Sequence, residues 1–277
     1  MTRRSLAALL AAASATLMLA ACSASDPGAA SGDSGDGYIT DGKLTIGTGE
    51  PAYSPWVLDD APESGEGFEA AVAYAVAEEL GFAEADVVWV RTTFEQAIAP
   101  GPKDFDFNLQ QFSITDERKQ AVDFSSPYYE TTQVVITVDG SPAASASSIA
   151  DLQGLLIGAQ TGTTSFDAIE SIIAPTAGAQ VFNTNDDAKL ALQNGTVDAI
   201  VVDLPTAFYL TSAELDGGKI VGQLPATTGD AFGLVLAKDS ALTADVTAAV
   251  DALRENGTLD ALATEWLAGE GAAPVLE

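Results

Sequence analysis

SPYYETTQVVITVDG, residues 126–140, lies between two runs of the chain in which short apolar strands alternate with amphipathic helices. Before it, KLTIGT (43–48) reads as a buried strand. GFEAAVAYAVAEELG (67–81) reads as a helix with Phe68, Val72, Val76 and Leu80 on one stripe and Gly81 as its stop. DVVWVR (86–91) is a second strand, TTFEQAI (92–98) opens a helix with Thr93 and Gln96 in capping-box spacing, and FDFNLQQ (105–111) is a third strand. After it the rhythm starts again. LLIGAQ (155–160) is a strand, TTSFDAIESII (163–173) a helix, AQVFN (179–183) a strand, DDAKLALQNG (186–195) a helix closed by Gly195, and AIVVD (199–203) a strand feeding PTAFYLTS. From Phe232 the chain gives one more strand, FGLVLA, and then two helices, the first with Val246, Val250 and Leu253 on one face. This alternation predicts an α/β protein with largely parallel sheets, whose functional edge lies where strands end and helices begin. Two such blocks predict two lobes. The terminal pair of helices either packs on the first lobe or forms a lid.

Composition limits what such a body can meet. The chain carries 40 acidic residues against 11 basic ones, and 47% of its residues are hydrophobic. A leader containing Arg3 and Arg4 and no acid, once removed, leaves 9 basic residues and a net charge of −31. A basic groove for nucleic acid is thereby excluded, and the expected partners are small solutes or other proteins. Histidine is absent and cysteine occurs once, which excludes Ser-His-Asp and Cys-His catalysis, disulfides and the usual zinc ligand sets. No metal and no cofactor is expected.

MTRRSLAALLAAASATLMLAAC sets two arginines before an apolar stretch from Leu6 to Ala21 that is short for a membrane span, so residues 1–21 read as a signal peptide. LAAC resembles the lipobox of bacterial lipoproteins, which implies lipidation of Cys22. TRRSLA also bears a weak likeness to a twin-arginine signal. The Ser-, Gly- and Asp-rich stretch over 22–37 has no apolar period and reads as a flexible tether.

Several motifs fail on context. GTGEPA after the first strand is followed by YSPW instead of a helix, GEGFEA has no strand before it, and GAQTGTT lacks the lysine of a phosphate loop. Three stretches remain. In SITDER (113–118), Thr115 is placed to cap a helix whose first turn holds Asp116, Glu117 and Arg118. An arginine at the positive end of a helix is better placed to meet a carboxylate than to stabilise its own helix, the alternative being a surface salt bridge. GAQTGTTS (158–165) is a strand, a glycine turn and a hydroxyl-lined helix start, so Thr163 and Thr164 read equally as an anion site or an ordinary cap. In VVDLP, Asp203 reads equally as a cap or as an acceptor for an ammonium. Tyr53 and Phe94 each follow a strand of the first block, where a pocket would open.

Taken in order, TIGT with EPAYSPW, TTFEQAI, NLQQFSITDERKQAVDFSSPYY, GAQTGTTS and VVDLPTAFYL resemble the family 3 solute-binding proteins of polar amino acid ABC transporters, from about Lys43 to Trp266. The resemblance implies the type II periplasmic binding protein fold: two α/β lobes, each a mixed, mainly parallel sheet flanked by helices, joined by two crossing strands that act as the hinge. It places the first lobe at 38–131 and 229–271 and the second at 132–228. It further implies that Arg118 clamps the α-carboxylate of an amino acid with help from Ser113, Thr163 and Thr164, and that Asp203 holds the α-ammonium. Tyr53 and Phe94 would flank the ligand's side chain. Gln110 and Gln111 stand where relatives usually carry small residues, which would narrow the pocket, add donors and favour a polar or short side chain. Glu50 stands where many carry Asp and could favour a cationic one. Trp56 is expected to pack against the first lobe.

The expected function is therefore capture of an α-amino acid outside the cell by a monomer held to the membrane through its N-terminal lipid, for delivery to an ABC permease, with no chemical step. Two other readings stand beside it. One is a secreted dehydratase of the prephenate or arogenate type on the same fold, with Glu50 as its acid. The other is a receptor for a separate signalling protein.

Overall fold

The computed structural model describes residues 37–225, 230–267 and 273–277. The expected signal peptide (1–21), the expected lipidation site Cys22 and the expected tether up to residue 36 lie outside the described residues. Among the described residues no helix is long and apolar enough to cross a membrane.

The chain begins with strand β1 (Leu44–Gly49), helix α1 (Phe68–Glu79), β2 (Val87–Thr92), the short α2 (Phe94–Ile98) and β3 (Phe107–Asn108). A single 3-10 turn at Arg118–Gln120 leads into β4 (Val122–Thr131), and after one residue, Thr132, β5 (Gln133–Val138) begins. The second block runs α3 (Ile149–Leu152), β6 (Ile157–Gln160), α4 (Thr164–Ala168), β7 (Gln180–Phe182), α5 (Asn185–Gln193), β8 (Ala199–Asp203), α6 (Leu204–Tyr209) and β9 (Gly218–Gln223). β10 (Asp230–Ala237), α7 (Thr243–Glu255) and α8 (Thr258–Trp266) complete the order. Both α4 and α6 continue for one π-helical turn, to Ile173 and Glu214.

Two five-stranded sheets result, in the orders β2-β1-β3-β10-β4 and β7-β6-β8-β5-β9. Each sheet is mixed. Pairings within the β–α–β units are parallel, β1 with β2 and β3, β6 with β7 and β8. Pairings made by the connecting strands are antiparallel: β10 with β3 and β4, β5 with β8 and β9. Antiparallel order enters because β4 runs from the first sheet straight into β5 of the second, and the chain returns from β9 to β10. Two crossings thus join two α/β lobes.

The first lobe packs α1, α7 and α8 on one side of its sheet. Leu44 and Ile46 of β1 share a core with Phe68, Val72 and Val76 of α1 and with Val246, Val250 and Leu259 of the terminal helices. Both terminal helices therefore pack on the first lobe. In the second sheet, Val134 and Ile136 of β5 face one core and Val135 the other, with Ile200, Val202 and Val201 of β8 split the same way. A strand covered on both faces favours apolar residues on both, which is why VVI (134–136) and AIVV (199–202) read as continuous apolar runs. The chain's end returns to this lobe: the Gln223 N–H donates to the Pro274 carbonyl at 2.7 Å, the Leu276 N–H to the Gln223 carbonyl at 2.8 Å, and Leu276 is buried.

Three local expectations change. The helix expected from Thr115 is only the Arg118–Gln120 turn, because β4 begins at Val122 and leaves no room for more. The argument from a helix dipole at Arg118 falls with it. FDFNLQQ pairs only at Phe107–Asn108, since the Asp106 carboxylate turns back to accept the N–H groups of Ile39 and Thr45, and Gln111 leaves the strand direction with φ +52°. The strand β9, GKIVGQ, was not among those expected, its two glycines obscuring the apolar alternation.

A close approach of backbone to backbone positions the loop before the Arg118 turn. Phe112, Ser113 and Ile114 lie along β10: the Gly233 N–H donates to the Phe112 carbonyl at 3.1 Å and the Ile114 N–H to the Ala231 carbonyl at 2.8 Å. A Cβ at Gly233 would sit 2.8 Å from Ile114 Cδ1, so the glycine leaves room for the Ile114 side chain over the strand. That contact fixes the start of SITDER at the sheet's end.

Candidate functional site

Arg118 leaves its turn with its N–H donating to Thr115 Oγ1 at 3.1 Å, so Thr115 caps the turn as its position suggested. Its guanidinium is fixed at three points. Nη1 donates to the Ser113 carbonyl at 2.7 Å, Nη2 to the Gly162 carbonyl of the second lobe at 2.9 Å, and Cζ lies 5.4 Å from the centre of the Phe94 ring. Phe94 is itself held by Phe112, with ring centres 4.8 Å apart. Among the described residues no carboxylate forms an ion pair with Arg118. Burial pushes its pKa down, against the more distant carboxylates of Asp167, Asp230, Asp203 and Glu117. A desolvated guanidinium with N–H groups to spare and no direct counter-ion is a site for an anion.

Asp203 ends β8 and precedes α6. It sits where a cap would, yet its side chain makes no cap hydrogen bond. It accepts instead from Gln133 Nε2 at 2.9 Å. Burial first, then the neighbouring Asp230 carboxylate, push its pKa up to about 8, while the Gln133 hydrogen bond and Arg118 hold it down. Gln133 is the hub of this corner. Its Nε2 also donates to Asp230 Oδ2 at 2.5 Å, and its Oε1 accepts from Ser165 Oγ at 2.6 Å. A carboxyl so placed would gain most from a cation that arrives without water.

The hydroxyls divide. Thr163 Oγ1 accepts the Phe166 N–H at 3.2 Å and donates to the Gln160 carbonyl at 2.7 Å, so it is engaged as the cap of α4. Thr164 Oγ1 meets Ser113 Oγ across the lobes at 3.0 Å. Further out, the buried indole of Trp56 packs edge-on against Phe68, Tyr129 and Phe232, as expected, and also donates from Nε1 to Thr206 Oγ1 of the second lobe at 2.9 Å. Arg118 to Gly162, Ser113 to Thr164 and Trp56 to Thr206 are thus among the contacts that span the cleft.

Between the lobes these groups enclose a cavity of about 310 Å³, within the usual range of about 300–1,000 Å³ for small-molecule pockets. Arg118, Asp203, Ser113, Thr163 and Thr164 all reach its wall. So do Tyr53, Phe94, Glu50, Gln110 and Gln111. The Tyr53 hydroxyl is buried beside Thr184 and Asp186 of the second lobe and, among the described residues, makes no hydrogen bond of ordinary geometry.

The two glutamines are not placed as their length suggested. Gln110 Nε2 donates to Thr92 Oγ1 at 2.7 Å and to Asn108 Oδ1 at 2.9 Å, while Gln111 Nε2 donates to Glu69 Oε2. Gln110 therefore adds no donor to the cavity, both its amide hydrogens being taken by the protein, whereas Gln111 gives one of its two to Glu69 and keeps the other.

Glu69, Gln133 and Asp230 were not singled out from the sequence. Glu69 stands in the first turn of α1 and is 2% exposed, with its pKa raised to about 7 by burial against the hydrogen bonds of Tyr128 and Gln111 that lower it. Its partners lie 42 and 59 residues away, beyond any helical period.

The family profile for bacterial extracellular solute-binding proteins, family 3, matches residues 44–269. The L-arginine-binding protein of Pseudomonas aeruginosa is 32% identical over 229 residues, spanning 79% of this chain and 86% of that one. Among solved structures, an ancestral arginine-binding protein bound to glutamine superposes with a TM-score of 0.70 at 30% identity, over 83% of this chain and 99% of the other. The arginine-, lysine-, histidine-binding protein ArtJ of Geobacillus stearothermophilus gives 0.69 at 27% identity, over 83% and 96%. These relatives are named for binding, not for a reaction.

Proposed function

The chain belongs to the bacterial extracellular solute-binding proteins, family 3, and on that premise we propose that it captures one α-amino acid in the cleft between its lobes and hands it to an ABC permease. The observation that carries the reading is the pair Arg118 and Asp203. They come from different lobes, open onto one cavity, and neither has a direct ionic partner among the described residues. An α-carboxylate at Arg118 and an α-ammonium at Asp203 would supply both missing charges with a single molecule. Charge-assisted hydrogen bonds of this kind contribute roughly 1.5–3 kcal/mol each.

Because the two charges sit on different lobes, the full set of contacts exists only when the lobes are together, which couples binding to closure. Ser113 and Thr164 add hydroxyls at the carboxylate end, Thr163 holds the start of α4, and Phe94 and Tyr53 flank the side-chain end. Glu50 and the two glutamines make that end polar, in keeping with relatives named for arginine and glutamine. Strand membership supports lobes at 38–131 with 229–271 and at 132–228, to which the C-terminal residues 273–277 add a further contact with the second. Acylation of Cys22 would hold a monomer at the outer face of the cell membrane. The binding step involves no bond-making in the ligand, and the protein acts as a receptor, not an enzyme.

Calorimetric titration of the twenty amino acids tests this. One or a few polar amino acids should bind with one-to-one stoichiometry and be recovered unchanged. If none binds, the reading is wrong.

A further inference from the structure

β5 opens on a polar residue in an otherwise apolar run, QVVITV, and that residue, Gln133, is 8% exposed. A buried amide costs free energy unless each of its groups finds a partner, so its surroundings decide what Gln133 does. Ser165 Oγ donates to its Oε1 at 2.6 Å, which fixes the end of the amide that is oxygen. Its Nε2 then turns its two hydrogens to two carboxylates, Asp203 Oδ1 at 2.9 Å and Asp230 Oδ2 at 2.5 Å, while Thr164 Oγ1 stands at a longer 3.4 Å.

These partners do not belong to one lobe. Gln133 lies opposite Asp203 in the β5–β8 ladder of the second sheet, whereas Asp230 opens β10 opposite Thr131 of β4 in the first. Only Thr132 separates β4 from β5. The Gln133 amide thus joins the start of both β5 and β10, at the hinge, to the carboxyl that faces the cavity. It occupies Asp203 Oδ1, and among the described residues none donates a hydrogen bond to Oδ2, although Asp203 stands in the cavity wall.

Resting on the amino acid receptor reading, we propose that Gln133 is a positioning residue for the ligand's ammonium: with one hydrogen it holds Asp203 so that Oδ2 is left to the ligand, and with the other it moors that carboxyl to Asp230 across the hinge. Neither Gln133 nor Asp230 lines the cavity, so both act on the ligand through Asp203. They act in opposite senses. Gln133 donates to the Asp203 carboxylate and favours its ionised form, whereas Asp230 is a like charge and opposes it. Arg118, from the turn before β4, favours ionisation as well, Glu69 of α1 opposes it, and the Tyr128 hydroxyl of β4 lies within reach of the same charge.

The experiment is calorimetric titration at pH 6, 7, 8 and 9 of the wild-type protein, Gln133→Met and Asp230→Asn, with L-arginine, L-glutamine and whichever of the twenty amino acids binds wild type most tightly. Each variant is read against wild type, so that the ligand's own titration cancels. Wild type should gain about fiftyfold in affinity from pH 6 to 8 and about tenfold from 7 to 9. Asp230→Asn should move the midpoint down by about one unit and cut the first ratio to about tenfold; Gln133→Met should move it up by about one unit and raise the second to about fiftyfold. General loosening of the fold would move both variants the same way. Asp230→Asn is isosteric and decides alone if Gln133→Met does not fold. Ratios within about twofold of wild type, or shifts of the same sign in both variants, overturn the proposal. A wild-type protein that binds none of the twenty amino acids would instead strike the receptor reading on which it rests.

Discussion

Lowering the pH from 8 to 6 should weaken amino acid binding about fiftyfold, with Asp203 as the cause. Its carboxyl titrates near 8 in the empty cleft because it is buried and faces Asp230, with only Gln133 and Arg118 in its favour and Glu69 adding to the upward push. A folded-state pKa above the usual carboxylate value means that Asp203 is neutral below 8, so an incoming ammonium must first expel its proton. At pH 6, two units below the titration point, that expulsion costs about 3 kcal/mol against the ionised carboxylate, and because half of the sites are protonated at pH 8 the difference between the two pH values is about fiftyfold. Well above 8 the proton is already gone and the dependence levels off. Titrations at pH 6.5 in two buffers of different ionisation enthalpy should show close to one proton released per ligand bound. Asp203→Asn should bind weakly and lose the pH dependence. An affinity that changes less than about twofold between pH 6 and 8, with a heat independent of buffer, would refute the assignment of the ammonium to Asp203.

Arg118→Lys keeps the charge but cannot serve Ser113, Gly162 and a ligand carboxylate together; affinity should fall about ten- to a hundredfold, and a loss below about threefold would contradict the clamp. Trp56→Phe keeps the ring packing but strands the buried Thr206 hydroxyl in the closed state, at a cost of about 1–3 kcal/mol, so stopped-flow measurements should show dissociation about tenfold faster and association little changed. Unaltered dissociation would remove this bond from the account of closure. Deleting residues 273–277 uncovers the second lobe where Leu276 is buried against Leu224, which costs about 2 kcal/mol and should lower Tm by about 4–8 °C in scanning calorimetry. An unchanged Tm would mean that the chain's end adds nothing to that lobe.

The lobes were legible because local chemistry repeats through the chain. AIVVD and VVI carry the apolar runs of a strand covered on both faces, KLTIGT sets Leu44 and Ile46 into one core, and Thr93 with Gln96 forms the reciprocal cap that its spacing announces, at 3.2 and 3.1 Å. Arg118 and Asp203 reach the cavity wall as the family resemblance implied, whereas their local sequence left each open to an ordinary role, a surface salt bridge for one and a cap for the other. The helix at SITDER was misread because capping chemistry marks where a turn starts and says nothing of where the next strand begins. Glu69, Gln133 and Asp230 were invisible for a different reason. Gln133 joins Asp203 and Asp230, 70 and 97 residues further on, and a polar residue bound for burial looks no different in sequence from one bound for the surface. The glutamines show the same limit from the other side, since their presence at the cavity could be foreseen and the direction of their amides could not.

A crystal structure of the protein with the amino acid that binds most tightly tests the central claim most directly. The account predicts an α-carboxylate within about 3 Å of the Arg118 guanidinium and the α-ammonium within about 3 Å of Asp203, in one molecule held between the two lobes. A ligand that binds with its backbone reversed, or outside this cavity with Arg118 and Asp203 untouched, would contradict it.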